Sequence, residues 1–226
     1  GLDMDALKLR SKIYGGYDKA SLRLGLDNVQ YRPSGTGNPL ATAGVTLKTS
    51  FNAQDMTYTK PNKYGIAVWY GLFDASQTQE GDYLVGPQGT FFIASQQLHL
   101  PIQLVQCNRK VFLSRTSISS SAGAVDYGGP TGSADDTILL GGSGTVADTG
   151  WPASILLFGQ RERNLSEIPS SVQQIGWRII LPPSVPASVV ITAADILTDD
   201  LGRRYAVQGA ESTDMGWRMT CTELHA

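Results

Sequence analysis

The sequence predicts an all-β fold of two small barrel or sandwich units, preceded by a short helix. Three features point there. Short apolar runs recur at even spacing between turn residues, one hairpin pattern returns half a chain length later, and the composition disfavours the helical alternatives. Of 226 residues only 17% are charged, against roughly 25% in typical soluble domains. With 25 glycines and 11 prolines, that balance excludes a coiled coil or long helical bundle, and 41% hydrophobic content excludes a wholly disordered chain.

Leu2 to Leu26 is the one helical candidate. Asp3 or Asp5 caps it, Leu7, Leu9 and Ile13 mix with Lys8, Arg10 and Lys12 at helical spacing, and Gly15-Gly16 is expected to stop it. Residues 28–32 alternate as a strand, and Pro33 to Gly44 is a turn-rich loop. Val45 to Lys48, Met56 to Thr59 and Ile66 to Tyr70 are strand candidates. Asp82 to Val85, a turn at Gly86-Pro87-Gln88-Gly89, and Thr90 to Ala94 make a hairpin. Leu100 to Val105 and Lys110 to Ser114 add strands. Between 123 and 150, 8 of 28 residues are glycine, with Thr137 to Leu140 the only apolar interruption. So long a loop is unusual inside one domain, so a boundary is expected there. Residues 1–115 then form the helix plus a first barrel, 116–150 a Gly/Ser-rich linker or long loop, and 151–226 a second barrel. The second unit's strands are Ala153 to Phe158, Gly176 to Leu181, Val189 to Ile191, Asp195 to Leu197, Tyr205 to Val207 and Trp217 to Thr222.

The net charge of −2 implies no general attraction to nucleic acid or acidic membranes. It conceals unlike halves. Residues 1–113 carry 11 basic against 8 acidic groups, and residues 114–226 carry 7 against 12. Such a chain suits copies that meet positive face to negative face, although drift between two surfaces gives the same arithmetic. No run approaches the ~18–20 apolar residues of a membrane helix, and no charged-then-apolar leader opens the chain. No signal peptide is therefore expected, and with Gly1 in place of methionine the start is expected to be processed, trimmed or engineered. Cys107 and Cys221 lie in strand-like runs and are expected to be reduced and partly buried, with no metal and no cofactor.

At an offset of 113, half the length, Asp82 meets Asp195, Leu84 meets Leu197, Gly89 meets Gly202 and Phe92 meets Tyr205. The aspartate can bond its local backbone, the leucine points inward, the glycine takes a positive-φ turn position, and the aromatic returns to the core. Upstream, residues 65–69 and 176–180 each open an apolar strand after a glycine. An internal duplication accounts for all of this, and two unrelated hairpins obeying common turn rules remain the alternative.

The stretch from Thr192 to Gly209, with Asp195-Ile196-Leu197 followed by Gly202-Arg203-Arg204-Tyr205-Ala206-Val207, resembles the head–tail joining proteins of tailed bacteriophages, the neck, connector or stopper proteins. Residues 89–94 match the same form more loosely. The resemblance spans some thirty residues of the second half, and the chain is twice the usual size of a single-barrel stopper. It implies a structural virion protein without enzymatic activity. Copies would form a ring of about six or twelve around the channel between head and tail. Such a ring would meet portal or adaptor and tail proteins, touch packaged DNA without sequence preference, and involve no membrane. Residues 33–44 and 117–150 would be the loops that reach neighbouring rings or the lumen. Another tail or baseplate component fits the same resemblance.

Other chemistry leaves little trace. His99 and His225 are the only histidines, no Gly-x-Ser-x-Gly elbow is present, and His99 reads as a strand histidine. Gly141-Gly142-Ser143-Gly144 lacks the lysine and context of a phosphate loop, and Asp135-Asp136 and Asp199-Asp200 read as solvated turns. Trp177-Arg178 and Trp217-Arg218 repeat after glycine, as core tryptophan with surface arginine or as a subunit interface. A carbohydrate-binding β-sandwich would need Trp69, Tyr70, Trp151, Trp177 and Trp217 exposed on one face.

Overall fold

A computed structural model of the chain describes residues 2–53, 65–116, 136–157 and 176–225. Its elements are α1 (Leu2–Leu24), β1 (Leu26–Tyr31), β2 (Ala43–Asn52), β3 (Val68–Leu72), a 3-10 turn (Ala75–Gln77), β4 (Tyr83–Gly86), β5 (Gly89–Ser95), β6 (Ile102–Cys107) and β7 (Arg109–Thr116). There follow β8 (Asp136–Leu140), α2 (Val146–Thr149), β9 (Trp151–Leu157), β10 (Gly176–Leu181), β11 (Ile196–Asp199), β12 (Arg204–Thr213) and β13 (Gly216–Leu224). The expected strand at 56–59 and the end of the strand expected at Phe158 lie outside the described residues.

Among the described residues the fold is all-β apart from α1, the 3-10 turn and the single turn α2. The first sheet closes into a barrel in the order β1-β2-β3-β6-β5-β4. The second runs β11-β12-β13-β10-β9-β7-β8, and an additional β11–β7 pairing brings its path back on itself. The two sheets share one plan. β4, β5, β6 and β3 correspond to β11, β12, β13 and β10, and β1 corresponds to β7. Where β2 runs beside β1 as one strand, β8 and β9 lie end to end beside β7. Leu113 pairs Leu140, and Val111 pairs Trp151.

These pairings move the expected boundary. β7 belongs to the second sheet, so the change of sheet falls at Asn108 rather than after 115. Residues 136–150, expected as linker, carry β8 and α2 of the second barrel. The reason is the pairing of β7: its apolar positions Val111 and Leu113 are fully buried against β11 and β9, which no local composition signal reveals. Val189 to Ile191, expected as a strand, is irregular backbone whose Val189 and Ile191 are nonetheless buried. Burial there follows from loop packing, which an apolar run cannot distinguish from a strand.

The helix also differs from expectation. It begins at Leu2, so Asp3 and Asp5 lie inside it, and it runs through Gly15-Gly16 to Leu24. Two mid-helix glycines cost about 1 kcal/mol each relative to alanine. Docking outweighs this: Tyr14 is buried in the first barrel's cluster with Leu47, Phe73 and Phe91, and Ile13 and Tyr17 pack beside it. The actual stop is Gly25, whose N–H donates to Ser21 O at 2.7 Å and whose Cα lies against the Thr49 backbone, where a Cβ would clash.

Alternation along the first hairpin serves two cores. Leu84, Phe91, Ile93, Ile102 and Leu104 fill the first barrel. Their neighbours Tyr83, Phe92, Ala94 and Val105 face the other way and join the second barrel's cluster with Trp151, Ile179, Tyr205 and Met219. Tyr83 donates its hydroxyl to Pro152 O at 2.8 Å and meets Trp151 edge-on at 6.4 Å. Asn108, between the sheets, bonds both Ile155 N and Ile155 O at 2.8 Å. The two barrels are thus joined by a continuous apolar core rather than a linker.

The loop after β1, expected to reach other rings, is pinned within the chain. Gly37 O accepts from Trp151 Nε1 at 2.8 Å, and Thr36 O accepts from Gly141 N at 2.9 Å. Part of the other such loop, residues 136–150, is folded into the second barrel, and residues 117–135 lie outside the described residues.

Because Gly15 and Gly16 are exposed with no neighbour within 4 Å of an added Cβ, Gly15→Ala and Gly16→Ala should each stabilise the fold by about 1 kcal/mol. A rise in the chemical-denaturation midpoint, with unchanged slope, would be the readout.

Candidate functional site

The aspartates of the repeated hairpins are the most strongly organised polar groups in the described chain. Asp82, just before β4, is fully buried. Its carboxylate takes Arg32 Nε at 2.9 Å on Oδ1 and Arg32 Nη2 at 2.8 Å on Oδ2. Oδ2 also accepts from Gln30 Nε2 at 2.6 Å and Gln79 N at 3.0 Å. Asp195, just before β11, repeats the arrangement. Arg115 Nε is 2.7 Å from Oδ1, Arg115 Nη2 is 2.8 Å from Oδ2, and Thr192 N is 2.9 Å from Oδ2.

The surroundings repeat as well. Arg32 Nη2 donates to Gln77 O at 3.3 Å, and Arg115 Nη2 donates to Val190 O at 2.9 Å. Ile93 N donates to Asp82 O and Val207 N to Asp195 O, both at 2.9 Å. The residue before each aspartate has positive φ, 90° at Gly81 and 73° at Ala194. Ala194 holds a conformation that costs an L-residue about 1 kcal/mol, so the clasp dictates the backbone there. The hydrogen bond to the aspartate raises the pKa of each guanidinium. Every carboxylate oxygen is occupied by donors, which makes each aspartate a staple rather than a free base.

Each clasp sits at the pairing that closes its ring. β1 meets β4 with Tyr31 opposite Tyr83, and β7 meets β11 with Ser114 opposite Ile196. The bidentate pair is one residue further along each ladder. Local backbone bonding of both aspartates agrees with the sequence; the arginines had no signal there. Arg32 lies 50 residues before Asp82, whereas Arg115 lies 80 before Asp195, so no common offset aligns them. A strand ending in Tyr31-Arg32 and another in Leu113-Ser114-Arg115 was the only available hint.

The rest of the repeated pattern is partly re-registered. Leu84 and Leu197 are equivalent and fully buried. Leu84 pairs Phe91, however, while Leu197 pairs Tyr205, so Phe91 rather than Phe92 is the counterpart of Tyr205. The first turn has two residues between Gly86 and Gly89, and the second has three between Asp199 and Arg203. Gly202, at φ 80°, is the extra left-handed residue of the longer turn, and Gly89 already belongs to β5. Asp199, expected as a solvated turn residue, is buried and holds this turn. It accepts from Leu201 N at 2.9 Å, Arg203 N at 2.8 Å and the Tyr205 hydroxyl at 3.1 Å. Asp200 lies 3.8 Å from Arg109.

Trp177 and Trp217 stand on the inner face of the β10–β13 ladder, opposite Cys221 and Leu181, and pack against the core from its two ends. Trp177 meets Tyr205 edge-on at 5.7 Å. Arg178 and Arg218 fall on the outer face, and Arg218 pairs Glu211 at 2.6 Å. Trp69 packs on the first barrel's cluster and Trp151 is fully buried, so the tryptophans do not share one exposed face. His99 is an exposed turn residue at φ 64°, not a strand histidine. Among the described residues no group of His, Cys, Asp and Glu is arranged to hold a metal, and no helix is long and apolar enough to cross a membrane. No family model, curated protein or solved structure matches the chain.

Removing one arginine strands a buried carboxylate, so Arg32→Ala and Arg115→Ala should each destabilise the protein by about 3 kcal/mol in denaturant titration. Burial pushes the Cys221 thiol up to about 12 from 9.0, and burial together with Asp199 pushes the Tyr205 hydroxyl up to about 12 from 10.0. The unfolded chain therefore loses these protons first, and stability should fall as pH rises from about 9 towards 12. Thermal melts between pH 8 and 11 should show the fall, and Tyr205→Phe should make it shallower.

Proposed function

We propose that this chain is a structural virion protein of the tailed-phage head–tail junction, working as a ring-forming neck or connector component. Its main support is the β11–β12 hairpin. The segment whose sequence resembles phage neck proteins, Asp195 to Val207, folds as the hairpin of a small β-barrel, with Asp195 buried at its root and Tyr205 buried beside its turn. The first barrel's outer face packs into the second barrel's apolar cluster, which makes the two a stiff block and suits the wall of a channel. The unlike charge of the halves, 11 basic against 8 acidic and then 7 against 12, suits copies that meet unlike face to unlike face.

In this role the chemistry is packing and interface formation. Copies would close into a ring of about six or twelve, in line with the closed symmetry of most assemblies. The ring would join portal or adaptor to tail and help retain or guide DNA. A tail or baseplate position would use the same surfaces.

Mass photometry and negative-stain microscopy of the purified full chain, alone and with portal and tail-tube protein, test this. Rings, alone or seeded on a phage partner, are the expected result. A strict monomer that binds glycans and ignores phage components would overturn it.

A further inference from the structure

α1 carries a stripe of cations on the face turned away from the first barrel. Tyr14 is buried among Leu47, Phe73 and Phe91, and Ser21, two turns further on, is fully buried, so these two mark the inner face. On the opposite side Lys8, Lys12, Lys19 and Arg23 fall within about 60° of one another, spread over about 22 Å of helix. All four are exposed, and among the described residues none is held in an ion pair.

The acids of the helix do not cancel the stripe. Asp5 is the one acid on this face among the described residues, and it stands at the N-terminal edge. Asp18 points about 100° away, where it lines the cleft between helix and barrel with Asp74 and Ser76. Arg10 balances them in the same cleft, 5.2 Å from the centre of the Tyr14 ring.

Between Lys12 and Lys19 the stripe has a bare waist at Gly15-Gly16. Both glycines are exposed, and an added Cβ at either has no neighbour within 4 Å. Each weakens the helix, and no packing among the described residues requires either. What the pair provides is a stretch of helix free of side chains, with two cations on each side of it. Bare backbone of this kind lets a partner come close.

We infer that α1 receives the phosphate backbone of duplex DNA. One strand crosses the helix at Gly15-Gly16, and Lys12 and Lys19, about 10 Å apart along the axis, reach phosphates on either side of it. An acidic membrane suits the face less well. Leu9 and Leu22 lie on opposite edges of the stripe, so they form no single apolar face to enter lipid. The net charge of −2 opposes attraction along the whole chain, which confines the contact to this helix. In a ring, the contact turns α1 towards the channel. That placement rests on the ring reading, whereas the contact itself does not.

Fluorescence anisotropy of the full chain with two short DNA duplexes of unrelated sequence tests the contact. Four phosphate contacts predict equal affinity for both duplexes and a slope of log K against log salt of about −3.6. Lys12→Gln/Lys19→Gln should lower the size of that slope by about two, and Lys110→Gln, on the second barrel, should leave it unchanged. If melts show that the first variant does not fold, Lys8→Gln/Arg23→Gln takes its place. Gly16→Gln should raise the denaturation midpoint yet weaken DNA binding severalfold, a pairing that a purely structural role of the glycine does not produce. An absence of DNA binding at low salt, or full binding by Lys12→Gln/Lys19→Gln, overturns the contact. So does binding to phosphatidylserine vesicles in place of DNA, and an affinity untouched by Gly16→Gln overturns the crossing at the waist. Rings seen by mass photometry without DNA binding overturn the contact and leave the ring reading standing. A strict monomer that binds DNA through α1 does the reverse.

Discussion

A buried carboxylate held by an arginine from a distant strand is the interaction on which this architecture rests. Each barrel closes by pairing its first strand with a hairpin that lies 50 to 80 residues later. Such closure costs chain entropy, so it needs a strong and geometrically demanding contact to define its register. Arg32 with Asp82 and Arg115 with Asp195 provide that contact at the same place in each ring. The bidentate geometry admits one register, and the half-exposed guanidinium keeps the desolvation cost on the carboxylate side. Ala194 shows how firmly the clasp dictates its surroundings, since an alanine there holds the left-handed backbone that Gly81 adopts in the first barrel.

Once both rings are closed, the outer face of the first hairpin becomes the inner wall of a second interface. Tyr83, Phe92, Ala94 and Val105 are buried because the second barrel stands against them. The loop after β1 is drawn into the same arrangement through Trp151 and Gly141. The barrels therefore act as one body. What distinguishes them among the described residues is their periphery, since α1 packs on the first barrel.

Much of this was legible in the sequence wherever the physics was local. The hairpins, the leucines at their roots and the backbone bonding of the aspartates follow from turn chemistry and alternation, which act over a few residues. The half-length offset survives in the structure for Asp82 with Asp195 and Leu84 with Leu197. It slips by one at the aromatic, because the second turn is one residue longer and Tyr205 therefore matches Phe91. The helix runs past Gly15-Gly16, because the docking of Tyr14 into the barrel outweighs a propensity penalty that the sequence alone shows. The boundary falls away from the glycine-rich stretch because composition marks where a chain is loop-rich, whereas β7 belongs to the sheet whose distant strands accept it.

By itself, the sequence determined the all-β class, the two related units, the hairpins and the inward leucines, since alternation and turn residues impose these within short windows. Only the tertiary structure decided which arginine serves which aspartate, where one barrel ends and the next begins, and that the tryptophans face the cores. Those outcomes depend on partners separated by 50 residues or more, and on a shared core that exists only after both rings have closed.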